Sequence, residues 1–447
     1  MKKIFRLTSD PDFNNFIFGQ TFSQIGENMS KVSLVWLVMA VSKNSSEVLS
    51  VFITMQALPP LIFGWLYGHI IDNISSKRLL LFMSDIARGI VFCLIPLLYF
   101  LQLLTTPTLL LLAFIAAIFS GIFGPTMFSA IPGFSEKAGP LVQRNSLINI
   151  TGHLGILIGP IMGGILSYFF NSAFVVTFTG VTFLVSSVFI GFIIKSEFTE
   201  SLPKLTRLNG FIREIFKSTV SIQKPVEVLK ANTLFAWNWS STTKLFCVMS
   251  LLVGVSLGVS LAALPLYIKT ELPNGPLALG IILTAGGLGM LTMSYLLGKS
   301  KSEFGRLKEE AISVQEIWLT GALFISGCVL IPMGLLHTVI FLSCITFISS
   351  GLADIYHPIM NTEVQTSVPE IFTGRVLTSI GSFFLVGIIG GSLLASYENS
   401  SAGLFVTLAT AGIARILASF IPLIIRTKRE YAGNNRITED TYKKRPI

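Results

Sequence analysis

The chain has 447 residues, 52% of them hydrophobic and only 12% charged, with a mean hydropathy of +0.73 and a net charge of +9. That balance lies outside the range of soluble globular proteins and marks a membrane protein. The positive excess gathers on one membrane face, where anionic lipid headgroups are a sufficient counter-ion, so a nucleic-acid partner is discounted.

Apolar stretches long enough to cross a bilayer, about 20 residues each at 1.5 Å rise, recur along the whole chain. They predict helices over 13–41, 47–71, 79–101, 107–131, 143–168, 173–195, 245–269, 277–298, 313–336, 338–360, 374–396 and 401–425. No period-2 alternation of a membrane barrel is present. The expectation is an all-α polytopic membrane protein with twelve transmembrane helices in two six-helix, pseudo-symmetric bundles. The boundaries are 1–195 for the N-terminal bundle, 196–244 for a linker, 245–426 for the C-terminal bundle and 427–447 for a tail.

Lys2 and Lys3 precede the polar run Thr8-Ser9-Asp10-Pro11-Asp12 rather than an apolar core with a small-residue cleavage site, so no cleaved signal peptide is expected. Ionisable groups at membrane depth are costly and therefore functional candidates. In the first span Glu27 lies about 21 Å beyond Phe13, near the middle, where desolvation would let it carry a proton. Lys31 sits four residues on, in the favourable order for a neutralising pair; both readings stay open. Between spans two and three, "GHIIDNISSKR" (68–78) interrupts the apolar run. Asp72 there would be stabilised against a helix N-terminus by roughly 0.3–1 kcal/mol, Gly68 would permit close helix approach, and Lys77 and Arg78 either belong to that device or only end helices and set topology. Asp85 and Arg88 in span three are spaced to face one side, as a structural salt bridge or charge relay assisting Asp72.

Span five carries "GHLGILIGPIMGG", in which Gly155, Gly159, Pro160, Gly163 and Gly164 make a smooth, bendable face for sliding or for close packing. Trp36, Trp65, Phe22, Phe52, Met55 and Gln56 are candidates to line a cavity. The linker segment "FIREIFKSTVSIQKPVEVL" places Phe211, Ile212, Ile215 and Phe216 at helical spacing, predicting a short amphipathic helix on the membrane face. Span ten contains Asp354, a candidate cavity acid favouring cationic substrates, and Arg415 in span twelve is its conceivable partner. Cys93, Cys247, Cys328 and Cys344 are isolated in apolar segments and indicate neither a disulfide framework nor a metal site. No cofactor is expected.

Lys and Arg fall almost entirely on one face, with only Lys43 and Lys269 on the other, which places both termini in the cytoplasm. The halves also repeat. Gly68-x-x-x-Asp72 returns 230 residues later as Gly298-x-x-x-Ser302, and Ser120-Gly121, Arg144 and Gly163-Gly164 return as Ser350-Gly351, Arg375 and Gly390-Gly391. Two like-oriented bundles would enclose a central cavity, the general plan of alternating-access carriers.

The 68–78 loop resembles the cytoplasmic motif of the major facilitator superfamily, repeated in degenerate form as "GKSKSEFGRLK" (298–308), although Asn73 and Ser75 depart from the family pattern. "GQTFSQIGE" (19–27), "SDIARG" (84–89), "RNSLIN" (144–149) and "NTEVQTSVPEIFTGRV" (361–376) extend the resemblance to the multidrug-efflux branch that includes macrolide exporters and the enterobactin exporter. The resemblance implies that Asp72 engages the start of span eleven near Gly374-Arg375 as a conformational latch, and that the glycine-rich span five is associated with export. The implied function is a monomeric bacterial plasma-membrane exporter, not an enzyme, exchanging protons for a hydrophobic or amphipathic small molecule. Competing readings are export of a siderophore or self-made peptide antibiotic, a transport-dead sensor, and a polytopic lipid enzyme. The last lacks a clustered nucleophile and base, and no Walker-type phosphate loop is present.

Overall fold

The structure is a computed structural model that describes residues 8–74, 76–193, 241–304, 310–368, 370–401 and 403–443. The expected amphipathic linker helix lies outside these residues, and so do the side chains of Trp65, Asp72 and Arg375.

The N-terminal half comprises α1 (Pro11–Val41), α2 (Ser46–Asn73), α3 (Lys77–Phe100), α4 (Thr106–Ala130), α5 (Leu141–Phe169) and α6 (Ser172–Gly191). The C-terminal half comprises α7 (Ser241–Glu271), α8 (Gly275–Phe304), α9 (Glu310–Leu330), α10 (Val339–Asp354), α11 (Tyr356–Ser367), α12 (Glu370–Ser401) and α13 (Leu404–Lys443). Caps fix several starts. Asp10 accepts from the N–H groups of Asp12 and Phe13 ahead of Pro11, and Ser45, Ser76, Thr105 and Asn171 accept from the first turns of α2, α3, α4 and α6.

Among the described residues, eleven stretches are long and apolar enough to cross a membrane. The first predicted span falls below that level because α1 carries Gln20, Gln24, Glu27, Asn28 and Lys31 along its middle. It crosses as the twelfth helix because protein surrounds it: α1 packs along α5 and α6 and touches α2, α4 and α8. Predicted span ten is two helices. Pro358 has no N–H to give the Asp354 carbonyl four residues back, and the chain breaks there between α10 and α11. The last helix does not stop at 425 but runs on to Lys443.

The packing repeats as the sequence does. α1 lies against α5 and α6 as α7 lies against α12 and α13; α3 against α4 and α6 matches α9 against α10 and α13; α2 against α4 matches α8 against α10. The result is two pseudo-symmetric six-helix bundles, as expected from the sequence. Glycines bring the paired helices to backbone distance. A Cβ at Gly258 would stand 2.2 Å from the Ile388 carbonyl oxygen, and one at Gly391 2.2 Å from that of Val255.

The halves meet along α5 with α8 and along α2 with α12. The cross-half contacts sit towards the face opposite the termini, the face of loops 42–45 and 272–274. A Cβ at Gly280 would stand 2.5 Å from the Pro160 carbonyl oxygen and 3.0 Å from Gly164 Cα, Thr284 donates to the Leu157 carbonyl at 3.4 Å, and the Thr54 and Ser392 hydroxyls are 3.4 Å apart. Trp36 sits in this seal against Gly275, with the Lys269 ammonium 5.6 Å from its ring centroid. The apolar core divides the same way. One cluster, including Leu37, Phe52, Ile95, Val259, Ile268 and Ile282, is continuous through both halves. Towards the termini it gives way to separate clusters, around Tyr356 and Val376 in one half and around Phe13, Phe16 and Tyr67 in the other. Among the described residues, the cleft between the halves is therefore closed opposite the termini and parted towards them. Leucine at Gly280 is expected to drive α5 and α8 apart. Spin labels at positions 43 and 274 then move apart by about 2 Å, the scale of helix shifts at an interface; an unchanged distance argues against this seal.

Candidate functional site

Arg88 lies at the centre of the N-terminal half, 2% exposed, and four helices hold it. Its NH2 bonds the Asp85 carboxylate on α3 and donates to Ser23 Oγ of α1 at 3.1 Å, while NH1 pairs with Glu27 Oε2 of α1 at 3.1 Å. The guanidinium carbon lies 4.1 Å from the ring centroid of Phe123 on α4 and 4.3 Å from that of Phe183 on α6, a double cation–π sandwich. Asp85 is fully buried and is further held by the Ser186 hydroxyl of α6 at 2.6 Å and by Ser23 at 3.4 Å. A desolvated guanidinium is thus matched by carboxylates, hydroxyls and ring faces.

Glu27 differs from Asp85 in exposure. Its side chain is 40% exposed, and the Ser120 hydroxyl of α4 lies 3.5 Å from the same Oε2 that meets Arg88. It opens onto a cavity of about 250 Å³ between α1, α2 and α4, with Phe92 of α3 at the wall and Ser30, Gln56 and Ser120 as further polar lining. Such a volume holds the head of an amphipathic molecule rather than the whole of a drug-sized one. Lys31 is not Glu27's ion-pair partner. Its ammonium donates to Asn28 Oδ1 at 2.8 Å and is exposed, whereas the buried Arg88 has the greater need of a counter-charge and takes the carboxylate. Of the other cavity candidates, Gln56 lines the pocket, Phe52 belongs to the cross-half core, and Phe22 stacks on Phe189 at 5.9 Å.

The glycine face of α5 has two partners. Cβ atoms at Gly155, Gly159 and Gly163 would stand 2.7, 2.8 and 2.7 Å from the carbonyl oxygens of Gln24, Ile25 and Met29, the stretch of α1 that carries Glu27. Gly164 and Pro160 instead meet Gly280 of α8, in the other half. One helix thus touches both the acid-bearing segment and the seal.

The expected Asp354–Arg415 pair does not form. Arg415, 7% exposed, sends NH1 to Ser326 Oγ at 2.7 Å and Ser349 Oγ at 2.6 Å, inside the C-terminal bundle and away from the cleft. Ser349 and Asp354 are five residues apart on α10, about 140° apart around the helix, so a side chain reaching one turns from the other. Asp354 accepts from Ser294 Oγ of α8 at 3.2 Å, and the next turn carries His357 against Phe384 of α12 at 5.7 Å. Asp354 and His357 thus lie against α8 and α12, the C-terminal helices that meet the other half.

A model of the Major Facilitator Superfamily matches residues 16–392. The chain belongs to that superfamily. Among its relatives, the multidrug resistance protein MdtG of Klebsiella pneumoniae (strain 342) is 26% identical over 276 residues, covering 61% of this chain and 60% of MdtG. The alignment thus spans less than two thirds of that relative's length. The multidrug efflux pump Tap of Mycolicibacterium fortuitum is 22% identical over 427 residues, covering 93% of this chain and 95% of Tap. A crystal structure of a POT family transporter in complex with 5-aminolevulinic acid superposes with a TM-score of 0.68 at 13% identity, covering 94% of this chain and 96% of that one. One of the nucleoside transporter NupG gives 0.67 at 12%, covering 92% and 99%. These likenesses show the shared fold.

Around the superfamily's loop motif, the basic residues act as helix caps. Arg78 Nε donates to the Ile190 carbonyl at 3.1 Å and its NH2 to that of Gly191, closing α6, while Lys77 donates to the Ser129 carbonyl at 3.2 Å near the end of α4. A Cβ at Gly68 or at Gly374 would meet open space among the described residues. Sequence reading missed Ser23, Ser120, Ser186, Phe123 and Phe183 around Arg88. Ser23 had a signal, lying one helical turn before Glu27 on the same face; the others are 32 to 98 residues from Arg88. Arg88→Ala is expected to cost roughly 3–5 kcal/mol by leaving Asp85 buried without its cation. Thermal unfolding in detergent checks this, and a loss below about 1 kcal/mol would show that the pair is not structural.

Proposed function

We propose that this superfamily transporter is a secondary exporter of amphipathic small molecules, driven by inward proton flow through Glu27, with both termini cytoplasmic. The observation that carries the reading is a half-exposed membrane-depth carboxylate on the wall of a cavity, held by a buried arginine. In the parted conformation the cavity is then reached from the cytoplasm. Glu27 exchanges Arg88 for a proton or for a donor group of the cargo, and the change reaches α5 through its glycine contacts with the Gln24–Met29 segment. The multidrug resistance and multidrug efflux relatives favour outward transport over uptake, and the positive residues at the termini favour their cytoplasmic placement.

The test is accumulation of ethidium in cells with and without the protein, each with and without a protonophore. The expected result is lower accumulation that the protonophore abolishes, and its loss in Glu27→Gln at unchanged membrane abundance. Gradient-dependent efflux that persists in Glu27→Gln removes this acid from the coupling. Asp354, against α8 in the other half, is expected to favour cationic cargo. Asp354→Asn then lowers ethidium efflux about tenfold relative to an uncharged lipophilic dye, on the scale of one lost charge-assisted contact; equal efflux of both dyes by wild type and variant excludes that role.

A further inference from the structure

Arg88 has two carboxylates, and they are not equivalent. Asp85 is fully buried, one helical turn from Arg88 on the same helix, and fixed by the hydroxyls of Ser186 and Ser23. Glu27 is on another helix and 40% exposed. Phe123 and Phe183 hold the guanidinium from both sides, and Ser23 takes a second hydrogen bond from the NH2 that meets Asp85. All of these except Glu27 would stay in place if Glu27 let go. We infer that Asp85 is a positioning residue that retains Arg88 and keeps it charge-compensated, so that Glu27 can release the arginine and accept another cation without stranding a buried charge. Asp85 and Arg88 then serve the Glu27 site rather than the loop latch of Asp72. Among the described residues, Lys31 on α1, the hydroxyls of Ser23, Ser120 and Ser186, and Ser30 and Gln56 of the cavity wall are the other charged or polar groups named around the trio.

The inference rests on reading Glu27 as the exchangeable acid, but its test needs no substrate. Unfolding temperatures of the purified full-length protein in detergent are compared for Glu27→Gln, Asp85→Asn, the double variant and the triple variant that adds Arg88→Gln. Glu27→Gln alone is expected to stay close to wild type, because Asp85 still compensates Arg88. The double variant is expected to fall below the sum of the single losses by roughly 5 °C or more, because the arginine has then lost both acids. Arg88→Gln is expected to restore much of that loss in the triple variant, and Asp85→Glu to behave as wild type alone and with Glu27→Gln. Additive losses, or a triple variant no more stable than the double, overturn the inference. If the double variant does not fold, recovery of folded protein in the triple supports it and failure of the triple to fold overturns it. Export that survives Glu27→Gln would sink the coupling reading while the charge arrangement is decided by these temperatures alone.

Discussion

A guanidinium at the middle of a membrane bundle constrains everything packed around it. Arg88 cannot be hydrated there, so the N-terminal half is organised to surround it, with acids from α1 and α3, a serine from α1, and aromatic rings from α4 and α6. Four of the six helices are tied through one side chain. This ties their relative positions more tightly than apolar packing alone, because lipid is as good an apolar partner as another helix. The C-terminal half answers the same need differently. Arg415 is held by two serines of α9 and α10, and no ion pair to it occurs among the described residues.

Glycine contacts carry the geometry outward from that centre. Along α1 and α5, and again along α7 and α12, backbone lies on backbone. In each half the central helix therefore moves with its neighbour as one body. On the N-terminal side this couples the segment bearing Glu27 to α5, whose other edge meets α8 of the opposite bundle. The physical path from the acid to the inter-half seam is short and consists of main-chain contacts.

Much of the architecture was legible in the residues because bilayer thickness sets helix length and the two halves repeat their landmarks. All twelve spans were read from the residues; among the described residues eleven are apolar enough by composition alone to cross a membrane, and the first has its polar middle packed against protein. The break at Asp354 follows from Pro358, a local rule that the reading did not apply. The site was half legible: Glu27, Asp85 and Arg88 were singled out because charge at depth is costly, and the Asp85–Arg88 pair followed from their spacing within one helix, but pairing between helices depends on helix rotation and neighbour order, which that spacing does not encode. Lys31 was the sequence neighbour of Glu27 and Arg88 the spatial one. Arg415 and Asp354 failed as a pair for the same reason, since their helices present different faces.

Where Gly164, Pro160 and Gly280 meet, the closest contacts across the α5–α8 seam are main chain against main chain. Rotamer changes, the usual small currency of protein plasticity, have little to act on there. Such a joint neither loosens by degrees nor leaks through a side-chain flip; it separates only when two rigid bodies roll apart, and it re-forms in one register. In a transporter of this superfamily such a joint favours rolling of the two halves as rigid bodies over gating by single side chains.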